Sequence, residues 1–325
     1  MIIYDKNKVG SIVSREITIE NSTFCGAKCV MCPRDEYDKD WSHMKTDLFL
    51  NIVDQAVELN VKSLDLCGFG DTFLDPELDK KLRIIKEKYP WLIIYTSTTA
   101  HAIKGKNFDL VSKYFNTIRI SNYGFSKKSY ETIHGGGLKY EKVQENIHRL
   151  LDLPRTKRPY IMMSFLILPE NEHEIEDWKN YWIEKVDEIS IWRPHNYGGE
   201  DRIDDLAFKT NDRLNKINVK SCGRPFNGNP FVRTNGDISV CCFDFNQKLT
   251  VGNLKFQNLE EILTGYQLNH LKKIHNEKKV LECDKICNSC DQIFDRTDSL
   301  VYSNNPNRKV DQPNNHPDHL VTLRN

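Results

Sequence analysis

The first two hundred residues of this 325-residue chain repeat one pattern. A short β-branched or apolar run is followed by a longer run whose apolar residues fall three or four apart. The short runs REITIE (15–20), VKSLDLC (61–67), LIIYTST (92–98), TIRISN (117–122), YIMMSFLIL (160–168) and DEISIWR (187–193) read as strands, bounded by Gly, Pro, Asn or charge. The longer runs at 47–60, 76–89, 107–115, 128–134, 140–152 and 171–185 read as helices. Strand–helix units in series imply a parallel sheet with helices outside, an α/β fold. The pattern leaves open an open doubly wound sheet or a barrel, complete or partial. Both bind ligands at the C-terminal ends of their strands.

The loop after the first strand is CGAKCVMC (25–32), which places Cys25, Cys29 and Cys32 at that end. Ten cysteines occur in all: these three, Cys67, and six between 222 and 290. The N-terminal MIIYDKNKVGSIVSRE has no long apolar segment, and no run of 18 apolar residues occurs. A cytoplasmic location is therefore expected. Thiols stay reduced there, and clustered cysteines point to metal or redox sites rather than disulfides. Lys plus Arg equals Asp plus Glu at 46 each. This argues against a general nucleic-acid binder, though not against a local basic pocket.

The texture changes after about residue 200. PFVRTNGDISVCC (230–242) reads as a β-hairpin turning at Asn235-Gly236. Residues 258–276 read as one helix or two short ones, and CDKICNSC follows. The segment 299–325 is polar and rich in Pro and Asn, and is expected to lie loosely on the surface.

Three thiolates can hold a cubane iron–sulfur cluster and leave its fourth iron open to a small chelating molecule. Zinc would need a fourth ligand, and His43 is the nearest histidine. The spacing C-x3-C-x2-C resembles the signature of the radical S-adenosylmethionine (SAM) superfamily. The resemblance covers about residues 15–195 and implies a partial (β/α)6 TIM-like barrel over 1–200. In that family the cluster binds the methionine part of SAM, and the 5′-deoxyadenosyl radical formed abstracts hydrogen from a substrate. The resemblance implies further cofactor contacts. Gly68, Phe69, Gly70 and Asp71 look like the element whose backbone binds the SAM amine. Thr98 lies in the turn after the third strand. Ser121 is placed for the ribose and carboxylate, and Met31 and Leu168 for the adenine.

Cys222-x13-Gly236-x4-Cys241, with a later C-x2-C, looks like the SPASM/twitch extension that carries an auxiliary cluster. That resemblance assigns Cys222, Cys241, Cys287 and Cys290 as ligands of a second [4Fe–4S] cluster, in a small β-hairpin-plus-helix domain over 201–298. Cys283 is an alternative to Cys287, and a zinc ribbon with the same four ligands is the competing site. Cys67, Cys242 and Cys283 are left over, and free cysteines commonly act as small buried apolar groups.

The resemblance implies chemistry on a small polyol: a sugar, aminocyclitol or nucleotide sugar. With an auxiliary cluster accepting an electron, a secondary alcohol becomes a ketone. With a thiol donor such as Cys67 or Cys242, the centre is inverted instead. Peptide-modifying relatives usually carry a leader-binding domain, and 24 residues before Cys25 are too few for one. A reductant such as flavodoxin or ferredoxin is implied as partner. Arg193 is the candidate for a carboxylate, a phosphate or SAM. His195, Tyr123, Lys28 and Asp244 are candidates for substrate contact or for the base.

Overall fold

The computed structural model describes residues 3–4, 12–13, 16–36, 41–199, 221–227, 229–283, 286–293, 299–303 and 320–322. The expected domain boundary near 200 and most of the polar C-terminal segment lie outside them. The strands are β1 (Glu16–Ile19), β2 (Ser63–Leu66), β3 (Ile93–Thr98), β4 (Thr117–Ser121), β5 (Tyr160–Leu166) and β6 (Glu188–Trp192). Each pairs parallel with the next, β1 through β6, in chain order. The connecting helices are α1 (Thr46–Glu58), α2 (Leu78–Lys88), α3 (Lys106–Tyr114), α4 (Lys127–His134), α5 (Tyr140–Leu151) and α6 (Ile175–Ile183). All six strands and six helices stand where the periodicity places them.

Strand alternation sorts the residues into two sets. Ile17, Leu64, Ile94, Ile118, Ile120, Ile161, Met163 and Ile189 are fully buried in the main core with the helices. Each such side chain stabilises the fold by about 1.5–3 kcal/mol. The other face is polar. It carries Glu16, Thr18, Asp65, Arg119, Ser121, Ser164 and Ser190, and it lines the interior of the partial barrel.

Beyond residue 220 the chain adds β7 (Phe231–Val232), β8 (Asp237–Ser239) and β9 (Thr250–Asn253), then α7 (Leu259–Thr264) and α8 (Tyr266–Asn276). The hairpin turns through Asn235 and Gly236, whose φ of 89° requires glycine. Asn258 and Glu261 form a capping box at α7, and Gly265 separates the two helices. Strand β7 pairs parallel with β1, so the hairpin continues the barrel sheet.

The opposite edge differs from expectation. The C-terminal segment was read as lying loosely on the surface. Instead β10 (Ser299–Ser303) pairs antiparallel with β6, and β11 (Leu320–Thr322) pairs with β10. An edge strand with unpaired backbone groups favours such an addition, and polar composition does not prevent it. Among the described residues, no helix is long and apolar enough to cross a membrane.

A buried ion pair ties the loop after β2 to the loop after β1. Lys81 Nζ donates to Asp75 Oδ2 at 2.6 Å and to the Met44 carbonyl at 2.5 Å, and Asn21 Nδ2 donates to Asp75 at 2.9 Å. Both charged side chains are wholly buried. Lys81→Met should therefore lower unfolding stability by about 3–5 kcal/mol, because Asp75 loses its counter-charge. Urea denaturation of the two proteins checks this.

Candidate functional site

The cysteine loop is held by its backbone. Arg34 Nη1 donates to the carbonyls of Cys25 (3.1 Å) and Ala27 (2.9 Å), curling the loop around the guanidinium. Lys28 N–H and Val30 N–H donate to the carbonyls of His134 and Ile133 at the end of α4. The glycines after α4 allow this approach. A Cβ on Gly136, whose φ is 64°, would lie 2.4 Å from the Gly26 carbonyl oxygen. His134 is fully buried, and its Nε2 accepts from Tyr123 N–H at 3.1 Å. Its proton therefore sits on Nδ1, which faces Cys29 Sγ at 3.5 Å. Burial holds the imidazole neutral, with its pKa lowered to about 3. Neither His134 nor the glycines after it appear among the sequence candidates. The run HGGG following a helix was the available signal.

Burial pushes the Cys25 thiol up. Cys29 is pushed up further by burial, then by Cys32 and Cys25 beside it. Thiols this close cannot ionise together unless a positive body sits among them.

The second-strand turn is only partly what the sequence suggests. Gly70 packs so closely that a Cβ would lie 2.1 Å from the Ser22 carbonyl oxygen. Asp71 is buried. It accepts from Thr98 Oγ1 at 2.8 Å and from Phe73 N–H at 3.0 Å, so the two candidate side chains hold each other. Phe69 N–H donates to the buried Glu20 at 2.8 Å. The turn is thus a rigid wall whose side-chain and Phe69 donors are already taken. Met31 and Leu168 do come together, in an apolar cluster with Ile133 beside Cys29 and Tyr123. Ser121 accepts from the Tyr123 hydroxyl at 3.1 Å. Lys28 is exposed, and Arg193 is half-buried just after β6.

Cys67 Sγ donates to Asp65 Oδ2 at 3.2 Å. Burial, then Asp65, raises the Cys67 thiol well above its ordinary value, with Cys242 adding to the effect. Cys67 is therefore a protonated thiol, near enough to Cys242 for their charges to interact. Tyr197, at a φ of 48°, lies between the two halves. Burial raises its phenol first, and Cys32, Tyr123 and Cys242 add to this. Its ring lies 6.2 Å from Phe69 of the barrel and 5.5 Å from Phe243 of the C-terminal part.

The C-terminal thiols share one hollow. Cys222, Cys241, Cys287 and Cys290 line one hollow with Arg224 and Phe243, and Cys283 is not among its lining residues. Cys241 is pushed up to about 12, by burial first, while Arg224 opposes the shift. Among the described residues, no three His, Cys, Asp or Glu side chains are arranged to hold a single metal ion. Four cysteine sulfurs around one hollow fit a body with several sulfur-binding positions, such as an iron–sulfur cluster.

Two of the proposed bases are otherwise engaged. Asp244 is buried and accepts from Lys248 N–H (2.7 Å), Leu249 N–H (2.8 Å) and Ser239 Oγ (3.0 Å), so it shapes a loop. His195 Nδ1 accepts from Gln292 Nε2 at 2.9 Å, which leaves its proton on Nε2. Arg224, which donates to Cys242 Sγ at 3.3 Å, was not anticipated, although it follows Cys222 by two residues.

A family model described as "Radical SAM superfamily" matches residues 19–181, half of the chain. The chain belongs to the radical SAM superfamily. A second model, described as an iron–sulfur cluster-binding domain, matches residues 222–291. The barrel of this radical SAM protein resembles solved structures at low identity. BtrN in complex with AdoMet and 2-DOIA is 17% identical, with a TM-score of 0.60 over 85% of this chain and 92% of that one. Streptococcus suis SuiB bound to precursor peptide SuiA is 17% identical, with a TM-score of 0.64 over 87% and 71%. The enzyme anSMEcpe with bound AdoMet and Cp18Cys peptide is 15% identical, with a TM-score of 0.62 over 85% and 89%. At these identities the likeness is one of fold. Among curated proteins, none matches this chain. The SAM site and the iron–sulfur centres expected from the sequence accord with both matches.

Two outcomes follow for this radical SAM protein. An N–H facing a ligand sulfur stabilises negative charge, so His134→Leu should lower the reduction potential of the barrel cluster, read by EPR-monitored titration. Asp65 is pushed up to about 8, by burial and then Glu16. A carboxyl raised in the folded state binds its proton more tightly there than when unfolded. Stability should then fall as pH rises from about 4 to 8, and Asp65→Asn should flatten that slope in urea midpoints.

Proposed function

We propose that this chain is a radical SAM oxidoreductase that oxidises a secondary alcohol of a small polyol to a ketone. Cys25, Cys29 and Cys32 hold the cluster that binds SAM. Cys222, Cys241, Cys287 and Cys290 hold the auxiliary [4Fe–4S] cluster. The single observation behind this reading is Tyr197, whose ring lies 6.2 Å from Phe69 of the barrel turn and 5.5 Å from Phe243, a residue lining the hollow of the C-terminal thiols. One side chain thus connects the two halves.

When bound, the first cluster and SAM supply a hydrogen-abstracting radical, and the second supplies an acceptor for one electron. The protein's own part is placement and exclusion of water. Met31, Leu168 and Tyr123 form an apolar face for the adenine, and Ser121 is placed for the ribose. The Gly68–Gly70 turn walls the methionine end. Phe69, Tyr197 and Phe243 close the chamber between barrel and hairpin. A reductant such as flavodoxin or ferredoxin and a cytoplasmic setting complete the reading.

The likeness to BtrN, which spans 92% of that protein and carries 2-DOIA in its complex, supports a small ligand. SuiB is matched over 71% of its length and is bound to a peptide, which keeps peptide modification as the competing substrate class. One observation favours a second reaction. Cys67 is a protonated thiol facing the interior, so it can return a hydrogen atom to a substrate radical and invert a centre, as an epimerase would.

Iron and sulfide counts on anaerobically reconstituted protein test the two centres. About eight irons per chain are expected, falling to about four when Cys25, Cys29 and Cys32 are all replaced by Ala. Wild type should form 5′-deoxyadenosine from SAM, and the triple variant none. About four irons in wild type and none in the variant would remove the auxiliary acceptor. A panel of cyclitols, aminocyclitols and nucleotide sugars turned over in deuterated water separates the reactions. Loss of two hydrogens marks oxidation. Gain of one deuterium, lost in Cys67→Ala, marks inversion.

A further inference from the structure

Arg119 stands in the middle of β4, on the face that lines the barrel interior. Among the described residues its guanidinium makes no hydrogen bond and no ion pair, and its Nε is buried without a partner. Its contacts are two aromatic faces: the Tyr95 ring at 5.5 Å and the Trp192 ring at 5.8 Å. Trp192 is itself fixed, because its Nε1 donates to Ser190 Oγ at 2.8 Å. The other interior and cavity arginines differ. Arg233 lies 3.6 Å from Glu20 and donates to the Asp244 carbonyl, and Arg224 donates to Cys242.

A guanidinium has five donors in a planar fork. Stacking on aromatic faces suits its plane and leaves the in-plane donors for an acceptor. Among the described residues no carboxylate forms an ion pair with that fork. Burial raises both Glu16 and Asp65, so the interior holds acids that resist ionisation around a cation that cannot lose its charge. Arg119 also acts electrostatically on Cys67, just after β2. The unpaired fork thus lies on the same interior face of the sheet as Asp65.

We propose that Arg119 is the anchor for an oxyanion, carboxylate or phosphate, on the ligand that enters the barrel. This rests on the barrel being the catalytic chamber of the proposed oxidoreductase, and it narrows the substrate to an acidic or phosphorylated polyol. The same fork would also suit the methionine carboxylate of SAM, so the test separates these two sources.

The probe is inorganic phosphate, added to reconstituted and reduced protein with SAM bound. The paramagnetic clusters broaden the 31P signal of phosphate held in the chamber. Broadening is expected in wild type. Arg119→Gln should weaken phosphate binding by at least about tenfold, as loss of charged hydrogen bonds does, with SAM binding by equilibrium dialysis unchanged. No broadening in wild type, or equal broadening in Arg119→Gln, overturns the proposal. So does a pattern in which SAM abolishes phosphate binding and Arg119→Gln weakens SAM, because the oxyanion is then that of SAM. Should Arg119→Gln fail to fold, Arg119→Lys decides. It keeps the charge and loses the fork, so weaker phosphate binding supports the anchor and wild-type binding overturns it. Anion binding is read without turnover. Its failure would leave oxidation of a neutral polyol standing, and failure of SAM cleavage would leave the phosphate result readable.

Discussion

The parallel pairing of β7 with β1 is the constraint on which the site depends. Thr18 N–H donates to the Pro230 carbonyl at 2.9 Å, and Glu20 N–H to the Val232 carbonyl at 2.8 Å. Two backbone bonds thus splice the C-terminal hairpin onto the first barrel strand, directly before the cysteine loop. Burial reinforces the join. Arg233, the residue after β7, is wholly buried with its guanidinium over the Phe69 and Phe231 rings and near Glu20. Since Glu20 also holds Phe69 N–H, one carboxylate couples β1, the second-strand turn and the hairpin. This strand pairing fixes the hairpin that leads to Cys241 beside the first barrel strand.

The interior is an unusual solvent for its own residues. Glu16, Glu20 and Asp65 are buried and raised, with the Arg119 and Arg233 side chains among the interior groups. Buried charge is costly unless paired, so a chamber like this is under electrostatic tension until a ligand completes it. The thiols at both centres are raised by burial and by their own neighbours, so their ionisation to ligands is favoured only with a cationic body bound. Cofactor binding and folding are therefore linked at both ends of the chamber.

Much of the fold was legible because its signals are local. A β-branched run bounded by charge makes a strand, and six strand–helix units demand a parallel sheet. The thiol spacings were equally local, and the four C-terminal cysteines that the family resemblance assigned are the four that line the hollow. Other site residues misled for a physical reason. Asp71 and Asp244 have the right chemistry for contact or catalysis, yet their oxygens are taken up by backbone and hydroxyl donors that sequence cannot place. The C-terminal strand β10 was missed because edge pairing depends on backbone groups, which every sequence possesses.

The sequence alone determined the class of fold, the two thiol groups and, through their spacing, the superfamily. Those properties follow from neighbours within about a dozen residues. Tertiary structure decided what faces the chamber. His134 meets Cys29 from 105 residues away, Tyr197 contacts Phe69 and Phe243 across the two halves, and Arg119 is flanked by rings from β3 and β6. Such contacts depend on strand order, stagger and barrel curvature. Those are set by the packing of the whole sheet against its helices and are written in no single stretch of chain.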